Sequence, residues 1–146
     1  ITLTKYGHFQ AAVQEGGVDV ANLTKGTLEI DFSLDGDTYV IGAQGRRGNI
    51  NDGTLQISGS ITALFENTSL LTKAMNATET SLKFTLSNDT DKSIEFFLPE
   101  VMFERSSPSI EGPKGILVEL PYRAYYENNT DAASIKVTLK NAQASY

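Results

Sequence analysis

The 146-residue chain has no cysteine and no tryptophan, and only one histidine, two methionines and four prolines. Without cysteine, disulfide staples, thiolate metal sites and cysteine nucleophiles are excluded together. Stability must then come from burial, within the domain and against neighbours. There is no run of about 18 or more apolar residues, so no helical membrane span is available. Residues 1–8 lack the apolar core of a signal peptide. The chain also begins without Met, as expected of a sequence processed or cut from something longer. Lys and Arg number 12 against 18 Asp and Glu, a net charge of -6. That balance argues against ordinary phosphate-backbone binding.

What is present is alternation. The length suits one domain, residues 1–146, and no boundary or internal repeat divides it. Leu28, Ile30, Phe32 and Leu34 alternate with Thr27, Glu29, Asp31 and Ser33. Leu55, Ile57, Gly59, Ile61, Ala63 and Phe65 alternate with Thr54, Gln56, Ser58, Ser60 and Thr62. The same period runs through Leu82, Phe84 and Leu86, then Ile94, Phe96 and Leu98. It continues through Val118, Leu120, Tyr122, Ala124 and Tyr126, and ends with Ile135, Val137 and Leu139. Such strands bury one face and leave the other wet, as antiparallel sandwiches and barrels do. The expected fold is mainly β, an antiparallel sandwich or half-barrel.

One stretch breaks the period. Residues 67–77 offer an N-cap at Asn67 or Thr68, then Leu70, Leu71, Ala74 and Met75 on one helical face. This predicts a short flanking helix that covers an open side of the core. Glu15-Gly16-Gly17 and Asp35-Gly36-Asp37 read as tight turns. Residues 43–53 form the longest polar, glycine-bearing connection of the first half.

Candidate chemistry is thin. His8 stands alone, and no Gly-x-Ser-x-Gly elbow provides a nucleophile for it. Glu29 with Asp31, and Glu95, Glu100, Glu104 and Glu119, supply carboxylates for a glycosidase-type pair, but scattered charge on solvated strand faces explains them better. The Asp35–Asp37 and Asn49–Gly53 clusters do not match a calcium loop with its terminal bidentate Glu. Asn-x-Ser/Thr sequons begin at Asn22, Asn67, Asn76, Asn88 and Asn128, and in a chain rich in Asn and Thr they read as coincidence. No cofactor or metal is expected, and no enzyme.

The order of features carries a resemblance. A hairpin leads to the strand at residues 24–34, and a polar connection ends in Asp52-Gly53. Ile57-Ser58-Gly59-Ser60-Ile61 follows, then the short helix, two strands, Leu98-Pro99-Glu100-Val101-Met102-Phe103 and an Ile110-Glu111-Gly112-Pro113 turn. The last strand ends in Leu139-Lys140-Asn141. This resembles the tail tube, or major tail, protein of long-tailed bacteriophages, and in particular the carboxy-terminal portion of its longer members. The resemblance implies a sandwich or half-barrel whose sheets join side by side in a ring, usually of six copies. Such rings stack into the tail tube of the virion, the channel for genome ejection.

The partners implied are sister copies and other tail proteins, with assembly in the host cytoplasm and no membrane contact. DNA passes through the lumen without specific binding. Lumen-facing candidates are Thr27, Glu29, Asp31, Ser33, Thr54, Gln56 and Ser58. Carboxylates there would repel sliding phosphates. Arg46, Arg47, Asn49 and Asp52 are candidates for ring-to-ring stacking. Three other readings compete: a carbohydrate-binding or adhesin-like β-sandwich using Tyr122, Tyr125 and Tyr126, a secretion-system tube of related architecture, and, third, a small hydrolase.

Overall fold

Two glycines set the first hairpin. β1 (Ala11–Glu15) turns into β2 (Val18–Asp19) through Gly16 and Gly17, with φ of 58° and 81°. Positive φ at both central residues is the two-residue turn whose twist matches the flanking strands. The computed structural model describes residues 10–20, 23–34, 41, 53–64, 69–89, 91–106, 116–128 and 130–141.

The remaining elements are β3 (Leu23–Asp31), β4 (Gln56–Leu64), α1 (Ser69–Asn76), β5 (Glu79–Asp89), β6 (Lys92–Phe103), β7 (Leu117–Tyr125) and β8 (Lys136–Lys140). The strands pair antiparallel in the order β2-β1-β5-β6-β7-β4-β3, with β8 added on β6, and among the described residues the sheet does not close. The expected β architecture with one short helix is what the chain adopts.

β6 organises the whole. Along one edge it pairs with β5; along the other it meets β8 from Ser93 to Phe97 and β7 from Glu100 to Phe103. Pro99 falls between those two partners, where its missing N–H costs no ladder bond on that edge. The β5 register shifts there as well, between Thr80 and Leu82. Such a bulge bends a strand, and the inward set changes parity across it, from Leu98 to Val101 and Phe103. The ribbon therefore folds over on itself. One wing carries β8, the first half of β6, β5, β1 and β2; the other carries the end of β6, β7, β4 and β3.

The core lies between the wings. Ile61, Leu82, Leu98, Val101, Phe103, Leu120 and Tyr122 are fully buried, with Val13, Ile57, Val118 and Ala74 beside them. Each large side chain so buried contributes about 1.5–3 kcal/mol of transfer free energy. Tyr122 packs against Phe84 at 6.2 Å between ring centroids and edge-on to Phe103 at 6.4 Å.

α1 seals one end of this core, but with a narrower face than the sequence suggests. Ala74 is buried and Leu70 packs on the core, while Met75 is 57% exposed. The helix closes at Ala77, with φ of 49°, as Thr78 N–H donates to the Lys73 carbonyl at 2.9 Å and Ala77 N–H to that of Ala74 at 3.4 Å. Those two bonds are a Schellman cap built on alanine rather than glycine.

Candidate assembly surface

The outward face of the β3-β4-β7 wing is polar from edge to edge. Cross-strand partners share a face, so the register groups Asp31 with Gln56, Glu29 with Ser58 and Arg123, Thr27 with Ser60 and Pro121, and Lys25 with Thr62 and Glu119. The intervening residues Leu28, Ile30, Ile57, Ile61, Leu120 and Tyr122 turn inward against the core. Period-two alternation produces both surfaces at once.

Five sequence candidates, Thr27, Glu29, Asp31, Gln56 and Ser58, thus share this face. Thr27 is partly committed to the sheet: its Oγ1 accepts the Ser60 N–H at 2.8 Å. Two others do not continue the pleat. β3 ends at Asp31, whose carboxylate accepts the Ser33 N–H at 2.8 Å, and Ser33 itself has φ of 48°. Phe32 and Leu34, expected inward, are 60% and 55% exposed for the same reason. Thr54 is exposed ahead of β4, which starts at Gln56. Arg46, Arg47, Asn49 and Asp52 lie outside the described residues, as do His8 and the Asp35–Asp37 turn.

The electrostatics of the face are acidic. Arg123 Nε donates to Glu104 Oε1 at 2.7 Å, which neutralises the face's arginine locally. Glu29, Asp31, Glu119 and Glu100 then stand against Lys25. On the opposite wing Glu95 meets Lys83 at 3.8 Å, apart from the carboxylates of this face. Among the described residues, no group of three or more His, Cys, Asp or Glu converges to hold a metal ion.

Sequence reasoning missed two groups that hold the fold together. The Tyr122 hydroxyl passes over Gly59 and donates to the Thr27 carbonyl at 2.6 Å, tying β7 to β3. Burial pushes its phenol well above the usual tyrosine range. A glycine inside an alternating strand was the available signal, since it marks a close approach. The other group is Glu15. It follows Val13 on the inward side of β1, 8% exposed, where Lys73 of α1 meets it at 2.5 Å and the Thr80 hydroxyl donates to the same oxygen.

The wings also leave an opening between β1 and β3. Val13, Leu28, Ile30, Phe84, Leu86 and Phe96 line an apolar cleft of about 620 Å³ there.

A family model described as phage tail tube protein matches residues 2–124. No curated protein matches by sequence. Two solved structures share the fold across nearly their whole length. The cap of the anti-feeding prophage, a tube terminating cap, superposes with a TM-score of 0.68 at 14% identity, covering 95% of this chain and 94% of that one. The sheath/tube terminator of an extracellular contractile injection system, PVC, in its extended state, gives 0.69 at 13% identity, covering 94% and 99%.

Proposed function

The chain belongs to the phage tail tube protein family, and from that membership we propose that its copies form six-membered rings that stack into a channel for genome ejection. The family is structural rather than enzymatic, and it places the chain in a phage tail. The family match over residues 2–124 carries this reading. Two features of the fold support it. The sheet is open, and open edges are a liability that joining to a sister copy removes. The β3-β4-β7 face is acidic and offers hydroxyls and carboxylates in place of a basic patch. Turned toward the lumen, it repels DNA phosphates and lets the duplex slide.

Sister rings and other tail proteins are the partners, and assembly takes place in the host cytoplasm. For Arg46, Arg47, Asn49 and Asp52 the ring-stacking role rests on the sequence alone.

The solved neighbours favour a second reading. Both are named for the end of a tube, one as a terminating cap and the other as a sheath/tube terminator. A copy with that role forms a single ring that closes a tube instead of extending it. Negative-stain microscopy of the purified protein at rising concentration separates the cases. Stacked rings support the tube body, and single rings that never stack support the terminator. A species that stays monomeric at every concentration overturns both.

A further inference from the structure

We propose that the free edge of β3 in one copy pairs antiparallel with the free edge of β8 in the next, an inference that rests on the ring reading above. Among the described residues β3 pairs only with β4, β8 only with β6, and β2 only with β1. β2 is two residues long and offers little to a partner, whereas β3 has nine residues and β8 has five.

The two longer edges match on both faces. β8 continues two apolar rows of the sheet: Val137 extends the row of Phe84 and Phe96, and Leu139 that of Leu86 and Ile94. Both rows stop in solvent, with Val137 52% and Leu139 64% exposed. β3 brings Leu28 and Ile30 on its inward side. A register that sets Ile30 against Val137 and Leu28 against Leu139 covers those rows. The same register sets Asp31 against Lys136, Thr27 against Lys140, and Glu29 between the two lysines.

The symmetric alternatives fit less well. Pairing β3 with another β3, even in the register that sets Lys25 against Asp31, leaves Val137 and Leu139 in solvent; pairing β8 with another β8 sets Lys136 against Lys140. Like charges directly opposite are destabilising. The favoured contact is therefore head to tail, the kind that closes into a ring when the rotation allows. Lys136 now lies 3.3 Å from Asp131 and Lys140 3.8 Å from Asp91, and both lysines are more than half exposed. Pairs of that kind are weak and exchange easily.

Charge reversal tests the pairing. One variant carries Glu29→Lys with Asp31→Lys, and a second carries Lys136→Glu with Lys140→Glu. Each alone is expected to need roughly tenfold more protein to form rings, since like charges oppose across every seam. An equimolar mixture should assemble almost as the parent does, because alternating copies match at each seam. Circular dichroism checks that each variant is folded. Normal assembly of either variant alone overturns the pairing, and so does a mixture of folded variants that stays dissociated. If the parent itself forms no rings, the ring reading falls first and takes this pairing with it.

Cysteine pairs give an independent measurement, because the chain has none of its own. A copy with Ile30→Cys mixed with a copy with Val137→Cys should oxidise to a mixed disulfide dimer. Homodimers alone, or no dimer from rings that do form, overturn the proposal.

Discussion

The Tyr122 hydroxyl donates to the main-chain carbonyl of Thr27 at 2.6 Å, and it does so by lying across Gly59. Tyr122 and Gly59 are partners in the β4–β7 ladder, and Gly59 faces Leu28 in the β3–β4 ladder. One bond thus spans three strands and clamps the edge strand β3 to the buried middle of its wing. It works only because the central residue has no side chain.

Gly59→Ala should therefore be severe. An added Cβ would stand 2.1 Å from the Thr27 carbonyl oxygen and 2.5 Å from the Tyr122 hydroxyl oxygen. Main chain cannot yield that far, so we expect a loss above about 3 kcal/mol, or failure to fold. Gly26→Ala is the comparison. Its Cβ would meet the Phe84 ring edge at 3.1 Å, which a small ring movement relieves. Thermal denaturation should rank the two clearly, and equal stability would contradict the clamp.

Tyr122→Phe removes the bond but keeps the ring. The Thr27 carbonyl loses its donor, at a cost of about 1–2 kcal/mol near neutral pH. The pH dependence has a definite sign. Burial raises the folded phenol above its unfolded value, so the folded state holds the proton more tightly. The parent's stability is complete below about pH 10 and declines above it as the unfolded state ionises. The Phe variant should lack that component of the alkaline decline in denaturant titrations across this range. An unchanged alkaline slope would remove Tyr122 from the account.

Glu15 and Lys73 should behave as a coupled pair. Either Glu15→Gln or Lys73→Met breaks a contact between β1 and α1 that is buried on the carboxylate side. Lys73 is about one-third exposed, so solvent moderates the loss to about 1–2 kcal/mol for each change. The double variant should cost less than the sum of the singles by roughly 1 kcal/mol. Strict additivity in urea unfolding would show the helix docks by apolar packing alone.

The lumen assignment predicts an effect on transport rather than on stability. Glu119→Lys with Tyr125→Lys adds cations to β7 on the polar face, separated from the β3 edge by β4. Rings should form as before, while DNA should now be held by counterion release and pass more slowly. The retardation should fade in high salt. Ejection at the parent's rate, measured on assembled tails, would place this face elsewhere.

Much of the fold was legible along the chain because alternation is a local property. Leu28 and Ile30 against Glu29 and Asp31, or Leu120 and Tyr122 against Glu119 and Arg123, follow from a pleat with period two. The Gly16-Gly17 turn and the short helix followed from equally local backbone preferences. What no local pattern could decide is which strand lies beside which. The division of the β6 edge at Pro99, between β8 and β7, comes from pairing across long stretches of chain. So do the exposure of Val137 and Leu139 on a strand whose pattern reads as half-buried, and the inward place of Glu15 under Lys73. A strand's own residues say which face is apolar. Only the assembled sheet decides whether that face, or that edge, is already covered, because the covering group is supplied by a distant part of the chain.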